Sequence, residues 1–155
     1  MQRKSFEVLV DYYQFYLWDK GTDPAAPEDY TDEDCTRRIK TGPNVVAICP
    51  VRNMRVPVEV EIHDVEPSYD AEKWDHIAEC SLDIPTGVLE VHECTGGPVA
   101  EFTVSPGTYR VRAFFGKLVS LDESGMEGED YYTVILWPGK KGNVTVLKQW
   151  TVKPG

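Results

Sequence analysis

The sequence has few of the histidines and closely spaced cysteines that form metal and redox sites. It holds three histidines, and its four cysteines are widely scattered, at Cys35, Cys49, Cys80 and Cys94. The close cysteine pairs of a structural zinc site or a redox motif are missing. His92 and Cys94 share a strand face and could bind metal if a neighbouring strand supplied His76 or Cys80. We expect free thiols, no metal and no cofactor.

Basic residues are also in short supply, since 16 Lys and Arg face 26 Asp and Glu, for a formal charge of −10. A chain of this charge repels phosphates, which argues against nucleic acid as a ligand. Its field attracts a basic protein surface instead. Negative charge that serves only to keep the protein dissolved is the alternative interpretation.

Long hydrophobic runs are missing too. No stretch reaches the apolar length needed to cross a bilayer, which predicts no membrane association. Glu7 and Asp11 interrupt the apolar residues near the N-terminus, so no signal peptide is evident. We therefore expect a cytoplasmic protein, with an oligomeric state that the pattern leaves open.

Signatures of an activated nucleophile are absent from the sequence. It has neither a G-x-S-x-G motif nor a phosphate-binding glycine loop. Glu59 and Glu61 share a strand face, as two carboxylates of a glycosidase could, but the distance between such groups decides that chemistry. Solvated strand carboxylates explain the pair more simply. We expect no enzymatic activity and keep a hydrolase as an alternative.

What the sequence does have is alternating hydrophobicity. Over residues 56–63, Val56, Val58, Val60 and Ile62 fall on one face of a strand. The same pattern recurs along the chain between turns rich in Gly and Pro, over 74–84, 88–94, 99–104, 108–115, 131–137 and 144–150. Many short strands of even spacing indicate a β-rich fold.

One stretch, 31–42, is helical in character. Thr31 is suited to an N-cap, acidic residues follow it, and Gly42 stands after the last basic residues. Together the elements predict an all-β fold: a single domain over 1–155, an antiparallel β-sandwich of about eight or nine strands with one short helix near residues 32–40. A barrel is the alternative.

Aromatic residues crowd the segment DYYQFYLWDKG, residues 11–21. Side chains of a strand alternate between two faces, so each face of this segment needs cover. With Phe15 and Leu17 facing inward, the hydrophobic phase shifts at Tyr12 and Tyr13, which predicts a β-bulge there. The remaining aromatics are expected to pack under the loop 21–30, with a partner protein as the alternative cover.

Acidic residues mixed with tyrosines form two clusters, residues 28–34 and 121–132. Tyr and Trp give rigid contact area and carboxylates give charge complementarity, so such clusters suit protein docking. The alternatives are charges that stabilise a helix N-terminus and a solvated hairpin loop. The predicted partner-binding residues are Tyr16, Trp18, Tyr30, Asp122, Glu123, Glu127, Glu129 and Asp130. A second hypothesis is a small-ligand or carbohydrate-binding sandwich that uses Tyr16, Trp18 and Trp74 as a stacking platform.

Over its first half the sequence resembles the bacterial competence protein J family. The shared features are Tyr12, Gln14 and Phe15 in YYQF, the pair Asp19 and Lys20, the helix start 31–33, and Arg52 followed by Asn53. The founding member of the family inhibits a DNA-entry nuclease. The resemblance implies a non-enzymatic protein that inhibits a nuclease, and it carries over no catalytic residues. The negative net charge independently favours a basic protein partner, because nuclease surfaces that hold DNA are basic. The loop 121–130 and the segment 146–155 look additional to the family pattern.

Overall fold

The computed structural model describes residues 1–151. Within this range the chain forms eleven strands and one α-helix. Their bounds are β1 (Gln2–Leu9), β2 (Phe15–Asp19), α1 (Asp32–Arg37), β3 (Ile39–Gly42), β4 (Val45–Ile48), β5 (Arg55–Ile62), β6 (His76–Ile84), β7 (Val88–Glu93), β8 (Pro98–Thr103), β9 (Gly107–Gly116), β10 (Tyr131–Pro138) and β11 (Thr145–Lys148). Short 3₁₀ turns cover Asp11–Tyr13, Lys20–Thr22, Ala71–Lys73 and Leu118–Ser120.

The strands form two sheets. The larger has the order β1-β5-β10-β9-β6-β11 and the smaller the order β3-β4-β2-β7-β8. Neighbouring strands run antiparallel except β5 and β10, which pair in parallel. The predicted all-β sandwich is confirmed. The chain has more strands than the eight or nine predicted, in part because β3 begins where the helix was expected to continue.

The hydrophobic core lies between the sheets. Phe15 and Leu17 of β2 are fully buried, as the phase argument predicted, and they face residues such as Val58 of β5 and Phe115 of β9. Alternation along β5 places its four apolar residues inward and its glutamates outward. Burial of large apolar side chains of this kind contributes about 1.5–3 kcal/mol each to the stability of the fold.

The helix begins where the sequence predicts. Thr31 accepts a hydrogen bond from the backbone N–H of Asp34 (3.1 Å), and the Asp34 carboxylate accepts one from the backbone N–H of Thr31 (3.0 Å). This reciprocal pair is a capping box. The helix ends at Arg37, earlier than expected, because Arg38 takes a left-handed conformation (φ 61°) and the chain turns into β3.

No helix among residues 1–151 is long and apolar enough to span a membrane. The four cysteines are free thiols, as the sequence predicts.

Candidate partner-binding site

The loops that form the candidate site lie at one end of the sandwich. Register pairs Leu9 with Arg55 and Gly116 with Tyr131, so the end of β1 and the beginnings of β5 and β10 lie together. Three loops meet there: the turn 11–13, the loop 49–54 and the loop 117–130. We call the surface that they form the acidic end.

The turn 11–13 joins the two sheets. Tyr12 and Tyr13 both have a φ of 57°, in the left-handed region that non-glycine residues rarely enter. This turn replaces the β-bulge predicted from the sequence, since β1 and β2 belong to different sheets. Both residues are exposed, Tyr12 to 71% and Tyr13 to 53%. Left-handed conformations of this kind cost roughly 1–2 kcal/mol each and concentrate at functional sites.

Two side-chain contacts hold the turn in place. The backbone N–H of Tyr13 donates to Asn53 Oδ1 (3.2 Å), and the Thr95 hydroxyl donates to Asp11 Oδ2 (2.7 Å). Val10 donates its backbone N–H to the carbonyl of Met54 (3.0 Å). The exposed tyrosines therefore stand on a turn that the neighbouring loops fix from both sides.

The loop 117–130 is organised by Asp122. Its Oδ1 accepts a hydrogen bond from the Ser124 hydroxyl (2.6 Å), and its backbone N–H donates to the carbonyl of Glu127 (2.8 Å). The Ser124 hydrogen bond lowers the pKa of the Asp122 carboxyl. Gly125 supplies the left-handed turn (φ 71°) that the loop needs. The loop thus has a defined shape, with its carboxylates on the outside.

Four of the predicted acidic residues are exposed: Asp122, Glu123, Glu127 and Glu129. None of them forms an ion pair with a cation of residues 1–151. Met126 (54% exposed) lies among them, and Val119 in the same loop is also exposed. The acidic end therefore presents unpaired carboxylates next to exposed apolar side chains.

Asp130 does not belong to this surface, which corrects the prediction for that residue. Its side chain is fully buried, with Oδ1 2.8 Å from Arg52 Nε. The Tyr132 hydroxyl donates to Asp130 Oδ2 (2.6 Å) and accepts from the backbone N–H of Val51 (3.0 Å). Burial, and after it the Asp130 hydrogen bond, raises the pKa of the Tyr132 phenol. Asp130 thereby fixes the base of the loop to the loop 49–54.

The predicted aromatic residues lie elsewhere, on the outer face of the smaller sheet. Tyr16 is 4% exposed and its hydroxyl donates to Cys94 Sγ (3.3 Å), so it presents almost no surface to a partner, a second correction. Trp18 stacks on Tyr16 and donates its Nε1–H to Glu90 (3.0 Å). Tyr30 and Ala26 pack against this group. The predicted cover by the loop 21–30 is confirmed for Tyr16 and Trp18, whereas Tyr12 is exposed.

The stacking platform and the metal site considered in the sequence analysis are not formed in the structure of residues 1–151. Trp74 packs on the outer face of the larger sheet, with Phe114, so it cannot form one stacking platform with Tyr16 and Trp18. His92 packs against Trp18 in the smaller sheet, whereas His76 and Cys80 belong to β6 in the larger one. Among residues 1–151, no three His, Cys, Asp or Glu side chains are placed to hold a metal ion.

The two candidate catalytic carboxylates sit on one face of β5, as predicted, but both have cationic neighbours. Arg3 lies 3.5 Å from Glu59 and 3.6 Å from Glu61. His63 Nε2 lies 2.9 Å from Glu61 Oε1. The Glu61 carboxyl accepts hydrogen bonds and its pKa is lowered despite the opposing effect of partial burial. A low pKa suits an ion-paired surface carboxylate and not a general acid.

Solved structures supply a comparison for the fold. ComJ, the inhibitor of the DNA-degrading activity of NucA from Bacillus subtilis, matches with a TM-score of 0.70 over 88% of this chain and 96% of its own, at 14% identity. The protein described as crocagin biosynthetic gene J matches with a TM-score of 0.58 over 90% of this chain and 100% of its own, at 18% identity. No family model and no curated protein matches the sequence.

The fold is that of ComJ. The resemblance to the competence protein J family is confirmed at this level, and the likeness extends over most of the chain and not only its first half. Sequence reasoning missed the exposure of Tyr12, Tyr13 and Met54 at the acidic end. The one sequence feature that pointed to the exposed turn was the change in the hydrophobic alternation at Tyr12 and Tyr13.

Proposed function

We propose that this protein is a non-catalytic inhibitor that binds a nuclease through the acidic end. The observation that supports the proposal best is that, on a ComJ fold, one end of the sandwich carries both four exposed carboxylates that pair with no cation of residues 1–151 and two exposed tyrosines on a fixed turn. ComJ inhibits the DNA-degrading activity of NucA. An inhibitor of the same class explains why this chain carries a binding surface and a net charge of −10.

The charge argument concerns the surface that a nuclease uses for DNA. A protein that holds DNA neutralises phosphates with Lys and Arg side chains, so its binding groove is basic. The loop 117–130 carries Glu123, Glu127 and Glu129, which pair with no cation of residues 1–151, so it can occupy such a groove in place of phosphates. Charge of this kind mainly raises the rate of association and selects against acidic partners.

Affinity needs apolar contact as well. Tyr12, Tyr13, Met54, Val119 and Met126 are the large hydrophobic side chains of the acidic end that are exposed and can lose water on binding. Tyrosines at the centre of an interface are frequent energetic hot spots, typically worth 2 kcal/mol or more when truncated. Because the turn 11–13 is already fixed, little conformational freedom is lost when the rings become covered.

The proposal is tested with the nuclease encoded nearest the gene. Purified protein is titrated against the enzyme, and association and DNA cleavage are measured at low and high salt. We expect inhibition at low salt and a slower association as salt screens the surface charges. No association at low salt, or catalytic turnover of DNA by the protein itself, would reject an inhibitor role.

The acidic loop is tested by neutralising Glu123, Glu127 and Glu129 to glutamine while keeping Asp122, which shapes the loop. We expect the association rate to fall by about tenfold or more, since steering of this kind spans about one to three orders of magnitude. The matched control neutralises Asp23, Glu28 and Asp64, three exposed carboxylates outside the acidic end.

Both triple variants change the net charge equally, so they separate local contact from total charge. Equal slowing by the two variants would show that the whole field acts and that the loop has no special place in the interface. No slowing by either would remove electrostatic steering from the mechanism.

A further inference from the structure

A groove of about 430 Å³ opens beside the turn 11–13, between α1 and the end of β4. Three tyrosines, Tyr12, Tyr13 and Tyr30, contribute to its wall, together with Gln14 and the buried Cys49. Arg38 supplies the one cation among the residues that line it. Sites for small molecules commonly have volumes of about 300–1,000 Å³ and combine apolar walls with a few polar groups. The groove fits this description.

Arg38 is unusual among the arginines of this acidic chain. Every other arginine forms an ion pair with at least one carboxylate. Arg38 has no carboxylate partner within residues 1–151, and its one side-chain hydrogen bond there, to the carbonyl of Cys49, is long (3.4 Å). Asp34, one helical turn before it, is held by Lys40 at 2.6 Å. Most of the five guanidinium N–H donors of Arg38 thus have no acceptor among residues 1–151.

The guanidinium is nevertheless held in position. It lies 5.2 Å above the ring of Trp150, a cation–π distance. The backbone N–H of Trp150 donates to Nδ1 of the buried His76 (3.0 Å), and the other ring nitrogen of His76 contacts the carbonyl of Arg37 (2.8 Å). Partial burial lowers the pKa of Arg38, because it separates the charge from water, and no carboxylate of residues 1–151 supplies a counterion. An anion in the groove would supply that counterion.

We propose that this groove binds a small aromatic carboxylate. A carboxylate matches the planar fork of one arginine and accepts two parallel hydrogen bonds from it. The tyrosine rings offer faces and edges for packing with an aromatic body. One cation in a largely apolar groove suits a singly charged ligand with an apolar body better than a doubly charged phosphate. The overall charge of −10 opposes anions at a distance, so recognition is local.

The test is an NMR titration of the full-length protein with indole-3-acetate. Two control ligands accompany it: indole-3-acetamide, which keeps the ring and lacks the charge, and acetate, which keeps the charge and lacks the ring. We expect saturable shifts of the amide signals of Tyr13, Arg38 and Cys49 with the acid, and at least about tenfold weaker binding of both controls. Equal binding of the acid and the amide, or shifts confined to other parts of the chain, would overturn the proposal.

Variants test the same site. Arg38→Gln is expected to weaken indole-3-acetate binding by about tenfold or more, because the charged hydrogen bonds are lost. Arg55→Gln, which removes the same charge from an exposed side chain at the same end of the sandwich, should leave it unchanged. If loss of the Trp150 contact unfolds the first variant, Tyr12→Ala removes a wall of the groove from an exposed position and should weaken binding several-fold. Unchanged binding in Tyr12→Ala and in every folded Arg38 variant would sink the proposal. This experiment needs no nuclease, so its outcome is independent of the proposed inhibition.

Discussion

Arg52 Nε lies 2.8 Å from Asp130 Oδ1, and the two side chains are 12% and 0% exposed. The pair joins two loops that are 78 residues apart in the chain, and Tyr132 completes its hydrogen bonds. A buried pair of this kind is weak evidence for net stability, yet removal of one partner leaves a buried charge without compensation. The pair therefore determines whether the loop 117–130 keeps its place relative to the loop 49–54.

Arg52→Ala is expected to lower the free energy of unfolding by about 3–5 kcal/mol, because Asp130 remains buried and loses its counterion. Urea denaturation measures the change. Arg55→Ala is the control, since Arg55 is exposed and 3.9 Å from Glu93, and an exposed pair contributes about 0–1 kcal/mol. Similar losses in the two variants would contradict the assignment of Arg52 as the residue that fixes the loop.

Replacement of Tyr12 by glycine is expected to stabilise the fold and weaken partner binding at once. The left-handed conformation costs a non-glycine residue roughly 1–2 kcal/mol, part of which is offset by the greater freedom of glycine in the unfolded chain. A net gain of about 0.5–1 kcal/mol in the free energy of unfolding should follow. Tyr12→Ala, which removes the ring and keeps the strain, should weaken binding without this gain. A less stable glycine variant would show that the ring itself supports the turn.

These residues also mark how far the sequence could predict the structure. Alternation along β5 and the capping box at Thr31 are local patterns, and both predictions were correct. The two left-handed tyrosines were outside the reach of local rules, because such turns usually carry Gly, Asn or Asp. Only the interrupted hydrophobic alternation at Tyr12 indicated an irregular backbone at this point. The strand β3 was missed because Arg38 ends the helix without a glycine.

The acidic residues show the same limit at the candidate site. Asp130 and Glu129 are neighbours in an acidic segment and look equivalent in the sequence. One is buried and the other exposed, because Arg52 and Tyr132 enclose only Asp130. Burial of a carboxylate depends on a cation that the fold brings from a distant loop, and no periodicity of the segment itself encodes that distance.

Acid is expected to destabilise the protein through His76. Its Nδ1 accepts the N–H of Trp150, so Nε2 carries the proton donated to the carbonyl of Arg37, and the folded state holds the neutral ring. Burial, with a smaller contribution from the charge of Arg38, lowers the pKa of His76. The unfolded state then binds the proton more readily, so stability present above the ordinary pKa of about 6.5 is lost as the pH falls below it.

The measurement is the free energy of unfolding from about pH 7.5 to about pH 5, around the ordinary histidine pKa, in the wild type and in His76→Gln. The other two histidines are the same in both proteins, so the difference in slope belongs to His76. We expect the wild type to lose stability more steeply with acid than the variant. Parallel slopes would mean that His76 is not held neutral in the fold.

Arg112 is expected to be the least replaceable cation on the outer face of the larger sheet. Its guanidinium lies 4.6 Å from the rings of both Tyr69 and Trp137, and its Nη2 lies 2.7 Å from Glu79. Lysine keeps the charge but lacks the planar guanidinium that contacts both aromatic rings and the Glu79 carboxylate at the same time. Arg112→Lys should therefore lower the free energy of unfolding by about 1–3 kcal/mol. Arg3→Lys makes the same chemical change at an exposed pair and should cost less than about 0.5 kcal/mol. Equal effects of the two substitutions in urea denaturation would show that the stacked geometry contributes nothing beyond charge.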